Sequence, residues 1–458
     1  MKKLFTYVHF FTSLLLSFYS GAQDGGLDTT FNIGTSLGPN GRINAIAIQS
    51  DGKLLIGGTF TKYGSLSRNN IARLNVEDGS LDTTYKVGTG ADNSVQTILV
   101  QNNGNSFIGG DFKMVNGKSK NYLASLNTNG SVDSLFATTY FNSSVMGSVL
   151  QKDGKIVING FFTGEIARLS TDGSVDGSFY VGTGAGPSYL WTTSMQKDGK
   201  VFIGGYFTTY NGKPTNHIGR LTANGALDTS FHVGSGIGGY GQIRCSAIQN
   251  DGKILIGGDF TIYNGKSAIR LARLNTNGAL DTTFKVGSQI PNNVTCLAIQ
   301  NDGKIIVGGG FILRLNVDGT ADNTFKYYGG NVTCQSIVLQ NDGKILVGGV
   351  FSQYAGKNVN NIMRLHNTNG IVTGMETDNA TQELGLSVYP NPNMGEFMVR
   401  SSKEESWSLV NSLGNATHVI DLNQGNNFAV NVSGLENGFY VLRSNSTSSK
   451  SHKVVVAK

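Results

Sequence analysis

A glutamine placed just before a tight Asp-Gly or Asn-Gly turn recurs seven times in this 458-residue chain, at Gln49, Gln101, Gln151, Gln196, Gln249, Gln300 and Gln340. The spacings are 52, 50, 45, 53, 51 and 40 residues. Self-similarity at such a period belongs to stacked or circular repeats, and it limits the possible folds more than any single residue can. One unit, from Ile243 to Phe284, reads IRCSAIQ, NDG, KILIGGDF, TIYNGKSAIR, LARLN, TNG, ALDTTF. Its apolar runs are too short for helices and are separated by Asn/Asp-Gly pairs that suit tight hairpins, because both positions tolerate positive φ. Ile254 to Ile256 is apolar throughout, as in a strand covered on both faces. Leu271, Arg273 and Asn275 alternate with Ala272 and Leu274, which predicts a half-buried third strand. The unit is therefore predicted to be a four-stranded antiparallel sheet.

The pieces repeat in order. Second strands end in Phe60, Phe112, Phe162, Phe207, Phe260, Phe311 and Phe351. Third strands resemble IARLN at Ile71, Leu123, Ile166, Ile218, Leu271, Leu313 and Ile362. Fourth strands resemble LDTTF at Leu81, Val132, Val175, Leu227, Leu280 and Ala321, and the seventh unit lacks one. The missing copy stands at the other end of the repeats, Leu27 to Phe31. An open solenoid has no use for a permuted strand, whereas a ring does, since pairing the two ends removes two exposed edges. Burying Leu27 and Phe31 should contribute roughly 1.5–3 kcal/mol each. The expected fold class is all-β: a seven-bladed β-propeller closed by an N-terminal strand, followed by a small C-terminal Ig-like β-sandwich.

Composition agrees. There are 63 glycines but only 6 prolines, which fits many turns and close-packed strands rather than a disordered chain. Residues 1–22 carry Lys2 and Lys3, an apolar run through Leu14 to Leu16, and small residues at Ser20 and Ala22. This is the pattern of an export signal cleaved between Ala22 and Gln23, and the apolar part is short for a membrane span. No later segment is long enough to cross, so no transmembrane segment is expected in the mature chain. The formal charge of +6 drops with the two signal lysines, and the remaining lysines are dispersed by the repeat. No Arg/Lys cluster interleaved with aromatics points to nucleic acid. The three cysteines, Cys245, Cys296 and Cys334, all fall in first strands. They read as small buried residues, with neighbouring blades too far apart to bridge.

The repeat stops near Gly374, and the expected boundaries are 23–372 for the propeller, 373–385 for a polar linker and 386–458 for the last domain. Seven short strands in that last stretch suggest a sandwich. Its motifs are Tyr389-Pro390-Asn391-Pro392, then Gly395 and Phe397, then LENGFYV with Gly438 and Tyr440, then the terminal Lys453 to Lys458. They resemble the C-terminal sorting domain of the type IX secretion system of Bacteroidetes. That resemblance implies passage through the outer membrane with the secretion machinery as partner, then release or attachment to surface lipopolysaccharide. The pieces QNDGKILIGGDFTIYNGK, IARLN and DGSLDTTF make residues 24 to about 372 similar to the delta-60 repeat proteins, a bacterial propeller-like family. The third and sixth units lack the YNGK loop, and the second reads Asn103-Gly104-Asn105 at its first turn. Such a family implies a fold, not an activity.

Turns alternate between the two ends of a blade. The short, repeated ones share one face, so the long variable loops and crossings are expected to carry function on the other, around the channel mouth. There Tyr63, Tyr210, Tyr263 and Tyr354 recur at one position, and Tyr189, Trp191 and Tyr240 lie in crossings. Aromatic rings with polar edges suit stacking on a glycan or a protein, or else each loop tyrosine packs over its own loop. The N-x-[ND]-G-x-x-D pattern, as from Asn275 to Asp281, places oxygens close together, but it lacks calcium-loop spacing and reads better as a hairpin followed by an outward Asp. Gly34 to Gly38 fits G-x-S-x-G, and Gly234, Gly236 and Gly239 fit G-x-G-x-x-G, both without the helix those motifs require. No catalytic residue, metal ligand set or cofactor motif is identified. The expectation is an exported, non-catalytic binding or adhesion module at the cell surface or outside the cell. The alternatives are a polysaccharide hydrolase or lyase acting at the channel mouth, and a structural surface component.

Overall fold

The computed structural model describes residues 23–31, 38–137, 141–186, 189–239 and 241–367, and seven strands with flanking residues between 387 and 456. The chain divides into two compact units, Met1–Val372 and Thr373–Lys458. The export signal, the linker and its boundaries, Tyr240, Pro390, Asn391, Pro392, Gly395 and Lys458 lie outside the described residues.

The first unit is built on seven antiparallel blade sheets, each ordered inner, second and third strand, with small sheets formed by the loops beside them. The inner strands are Ile43–Ile48, Val95–Val100, Val145–Leu150, Tyr189–Met195, Ile243–Ile248, Val294–Ile299 and Thr333–Leu339. Each touches the next, and the last touches the first, so they form a closed ring around an axis. Second strands such as Leu54–Gly58 and Ile254–Gly258 are buried at every residue, which explains their unbroken apolar sequence. Their paired glycines permit close approach. A methyl group on Gly58 or Gly258 would overlap the backbone carbonyl oxygen of Arg42 or Gln242.

Two expectations about the blade edge need correction. The third strand is not half-buried: Leu271–Leu274 is buried throughout, Arg273 included. The aspartate after the hairpin does not point outward either, since Asp281 is 5% exposed. The cause is electrostatic. Arg273 Nε donates to Asp281 Oδ2 at 2.8 Å, Lys253 Nζ lies 2.9 Å from the same oxygen, and the guanidinium stacks 4.6 Å from the Phe284 ring centroid. Buried ions persist only when paired and hydrogen-bonded, and here each partner is. Thr283 donates its amide and hydroxyl to Asp281 Oδ1 at 3.0 and 2.6 Å. That local turn stops the outer strand after a single bridge, Leu274 to Leu280. Of the oxygens that resembled a calcium loop, Asp281 Oδ2 is thus committed to cations of the chain itself, Asp281 Oδ1 to Thr283 and Asn277 Oδ1 to the Ala279 amide.

Arg273 also reaches forward and donates to the carbonyl of Val317 in the next blade. Arg73, Arg168 and Arg220 make the same link to Thr128, Ala223 and Thr276. The second blade departs from the pattern. Ser125 and Asn105 replace the arginine and lysine, so Asp133 receives only neutral hydrogen bonds.

The ring closes as the permuted strand predicts. Leu27 bridges Leu365 at the place where Leu81 bridges Leu74. Asp28 supplies the missing aspartate, 2.8 Å from Arg364 Nε and 3.3 Å from Lys344 Nζ. Arg364 stacks over Phe31 at 4.6 Å and donates to the carbonyls of Val76 and Glu77 in the first blade. Tyr354 Oη donates to the Gly25 carbonyl at 2.7 Å.

The second unit pairs a three-stranded sheet with a four-stranded sheet, all antiparallel. Phe397, Trp407, Leu409, Ile420, Tyr440 and Leu442 fill its core. It is the Ig-like sandwich expected of these strands. Phe397 and Tyr440 of the sorting motif are therefore core residues, Gly438 opens the strand Gly438–Ser444, and Tyr389 and Lys453 lie within strands.

Candidate functional site

Every inner strand carries a β-bulge at one position, the register shifting around Asn44, Gln96, Met146, Trp191, Arg244, Thr295 and Gln335. All seven bulged residues are half-buried. An extra residue in one strand re-aims its side chain, and bulges are frequent at barrel rims and next to sites. These lie at the end of the inner strand away from the glutamine turn. Beside them, where second strands finish, stand Thr59, Asp111, Phe161, Tyr206, Asp259, Gly310 and Val350. The flanking glutamine and phenylalanine repeat in every blade, whereas the residues at these two rings differ. A rigid scaffold with a variable rim is the usual arrangement for recognition.

The rim is not uniform. Across the third and fourth blades, Phe161, Tyr189 and Trp191 form one aromatic cluster. Phe161 meets Tyr189 edge-on at 5.2 Å and Trp191 at 5.5 Å, and the Tyr189 and Trp191 centroids are 5.9 Å apart. Tyr189 is 49% exposed, so an aromatic surface faces solvent. Polar groups fix the cluster's position. Trp191 Nε1 donates to Gln242 Oε1 at 3.1 Å, and the Gln242 backbone N–H donates to Asp259 Oδ1 at 2.6 Å. Arg244 pairs with Asp259 Oδ2 at 3.1 Å and lies 6.0 Å from the Trp191 ring centroid. In the fourth blade Tyr206 stacks on His217 at 5.0 Å, and burial disfavours the imidazolium of His217 although Asp259 opposes that. The arrangement offers flat apolar faces beside a half-buried ion pair with no net charge. Such a surface suits a ring bearing hydroxyls, which stacks on the aromatics and exchanges hydrogen bonds with the pair.

Other stations of the rim are tied to neighbouring blades. Asn44 Nδ2 donates to Ser94 Oγ and to the Val95 carbonyl, both at 3.0 Å. Gln96 and Ser144 both donate to Asp111. Thr295 Oγ1 donates to the Cys334 carbonyl at 2.6 Å.

The structure separates the sequence-predicted residues into two groups. Tyr63, Tyr210, Tyr263 and Tyr354 are buried, and burial pushes all four phenols up. Their hydroxyls donate to the carbonyls of Gly79, Gly225, Gly278 and Gly25, so each ring clamps the hairpin or permuted strand at its own blade's edge and offers no face to a ligand. Tyr189 and Trp191 stand on the rim, joined by Phe161, Arg244 and Asp259, which the sequence reading did not single out. A signal existed. The bulged residue always lies five positions before the repeated glutamine, and the second ring always precedes the repeated phenylalanine. Among the described residues no group of three or more His, Cys, Asp or Glu could hold a metal ion.

The model for a domain of unknown function (DUF5122) beta-propeller matches residues 49–85, 101–136, 151–179, 196–231, 249–284, 300–325 and 340–370, one match per blade. The model for a secretion system C-terminal sorting domain matches residues 387–458. No curated protein sequence matches the chain. Among solved structures, the WD40 beta propeller domain of Doa1 is similar at TM-score 0.51 and 13% identity, over 76% of this chain and 97% of that one. A chain of the mitotic checkpoint complex gives TM-score 0.51 at 10% identity, over 80% of this chain and 100% of that one. The extracellular domain of a hybrid two component system from B. thetaiotaomicron gives TM-score 0.48 at 11% identity, over 96% of this chain and 59% of that one. At these identities the likeness shows the fold alone.

Proposed function

The chain belongs to the DUF5122 beta-propeller family and ends in a secretion-system sorting domain, and from that premise we propose that it is a recognition module whose channel mouth binds a saccharide outside the cell. The sorting domain makes it an exported protein of the cell surface or extracellular space that engages the type IX secretion machinery. The reading that it binds rather than transforms its ligand rests on the rim. One observation carries it: the Phe161, Tyr189 and Trp191 cluster held beside the Arg244–Asp259 pair. Aromatic stacking supplies affinity for the faces of a sugar ring, and the ion pair supplies directional hydrogen bonds without favouring a charged ligand. Retention at surface lipopolysaccharide after sorting is part of the same proposal.

The purified full chain on a glycan array tests it. Binding should be lost in Trp191→Ala and weakened at least tenfold in Asp259→Asn, with unchanged far-UV circular dichroism. Binding indifferent to Trp191→Ala would reject this site. Turnover of a bound polysaccharide would replace the binding module with an enzyme.

A further inference from the structure

Two of the chain's three cysteines meet at one of its seven inter-blade seams, six of which share one construction, the third blade having Asn159 in place of the glycine. In six blades the first glycine of the second strand's pair leaves a groove. The groove takes the inner-strand residue that precedes the bulge in the next blade: Val95 against Gly57, Val145 against Gly109, Ile243 against Gly204, Val294 against Gly257 and Ile43 against Gly348. At Gly308 that residue is Cys334. The sequence reading placed the three cysteines at equivalent positions, too far apart to bridge. The register corrects the equivalence: Cys245 and Cys296 follow their bulges, whereas Cys334 precedes its own. The offset of two residues brings Cys334 opposite Cys296 of the preceding blade. A methyl group on Gly308 would lie 2.6 Å from Cys296 Sγ and 2.9 Å from Cys334 Cβ, and the two thiols interact with each other. At the homologous Gly257 seam the groove takes Val294 instead, and Cys245 Sγ lies against that residue and its carbonyl.

We infer that Cys296 and Cys334 form a disulfide that joins the inner strands of the sixth and seventh blades, while Cys245 remains a thiol. All three are free thiols in the structure, and Cys334 is fully buried. The sorting domain sends the chain through the envelope, where thiols are oxidised. The oxidant is a disulfide-bonded thiol oxidoreductase of that compartment. One cysteine thiolate attacks its disulfide and releases one oxidoreductase sulfur as a thiol. The second thiolate then displaces the other sulfur. One Sγ–Sγ bond forms, both cysteine protons are lost, and the two electrons reduce the oxidoreductase disulfide to two thiols. In the closed blade pair the Cys296 sulfur and burial hold the Cys334 thiol protonated and unreactive, so exchange precedes docking of the seventh blade. The bond then fastens the blade that the N-terminal strand also closes.

The test uses the full chain exported by its own cells and collected without reductant, with the same chain made in a reducing cytosol as control. After denaturation, alkylation and trypsin, Cys245 in Cys245–Lys253 should be fully alkylated. Val286–Lys304 and Tyr327–Lys344 should run as one cross-linked species that separates on reduction. In the Cys245→Ala variant the cross-link should persist, and reductant should lower the melting temperature of the exported wild type but not that of the cytosolic control. Three alkylated cysteines in exported protein, or a link containing Cys245, would overturn the inference.

Discussion

Replacing Asp28 by Asn probes ring closure with almost no change of shape. In the native chain the Asp28 side chain is 2% exposed and pairs with Arg364, itself 4% exposed, at 2.8 Å. Burial alone would raise the carboxyl pKa, but hydrogen bonds from the Thr30 hydroxyl and amide and the charge of Arg364 hold it well below the usual carboxylate range. The amide leaves the buried Arg364 charge without a carboxylate, facing neutral acceptors such as the Val76 and Glu77 carbonyls and Thr30. Breaking one side of a buried pair costs about 3–5 kcal/mol. For a unit of roughly 350 residues, whose unfolding entropy is about 2.1 cal/mol/K per residue, that corresponds to a fall of about 4–7 °C. Asp82→Asn removes the same contacts within the first blade and should cost as much. The two variants should differ at the seam. Only Asp28→Asn releases the permuted strand, so chymotrypsin should cut at Phe31, which is fully buried in the native ring. Acid gives a second check. A depressed carboxyl contributes stability above its unfolded pKa of about 3.9 and loses it as pH falls further, so the wild-type advantage should shrink below about pH 4. An Asp28→Asn protein melting within about 1 °C of wild type, beside an Asp82→Asn protein that melts as worked out above, would refute the electrostatic account of closure.

Three further outcomes follow from the same geometry. The second blade lacks the arginine link to its successor, so Ser125→Arg with Asn105→Lys and Leu135→Thr should restore a pair with Asp133 and raise stability by about 1–2 kcal/mol in a thermal melt; no gain would mean that the inter-blade arginines are energetically idle. Gly258→Ala should cost more than about 3 kcal/mol because its methyl meets the Gln242 backbone, whereas Gly265→Ala, strained at φ 72° but facing open space, should cost about 1 kcal/mol; equal denaturation midpoints would contradict this. Tyr263→Phe should lose about 1 kcal/mol with the hydrogen bond to the Gly278 carbonyl and leave glycan binding unchanged, while altered binding would return the loop tyrosines to the site.

Much of the fold was legible because its determinants are local and repeated. Gly252 and Gly278, both at positive φ, mark turns that any blade needs, and the displaced Leu27 to Phe31 copy made closure a matter of counting. The site was less legible. Tyr263 and Tyr189 look alike in sequence, yet one donates its hydroxyl inside a blade edge and the other lies half in water. Arg273 seemed to point outward because period-two alternation assumes one wet face, and the outer strand with its ion pair covers that face. Phe161 and Trp191 come from different blades, so nothing in their spacing shows that they touch.

By itself, then, the sequence determined the number of blades, the latch at Leu27 to Phe31 and the address carried by the C-terminal motifs. Each rests on turn chemistry and alternation, which act within a few residues. Only the tertiary structure decided which aromatics form a surface, where the buried charges find partners and that Cys296 faces Cys334. Those facts depend on how blades meet: Cys296 and Cys334 on their different places relative to the bulge, the aromatics on neighbouring strand ends, and the charges on the closing strand. Such contacts arise between residues tens to hundreds of positions apart, and only closing the ring brings them within reach of one another.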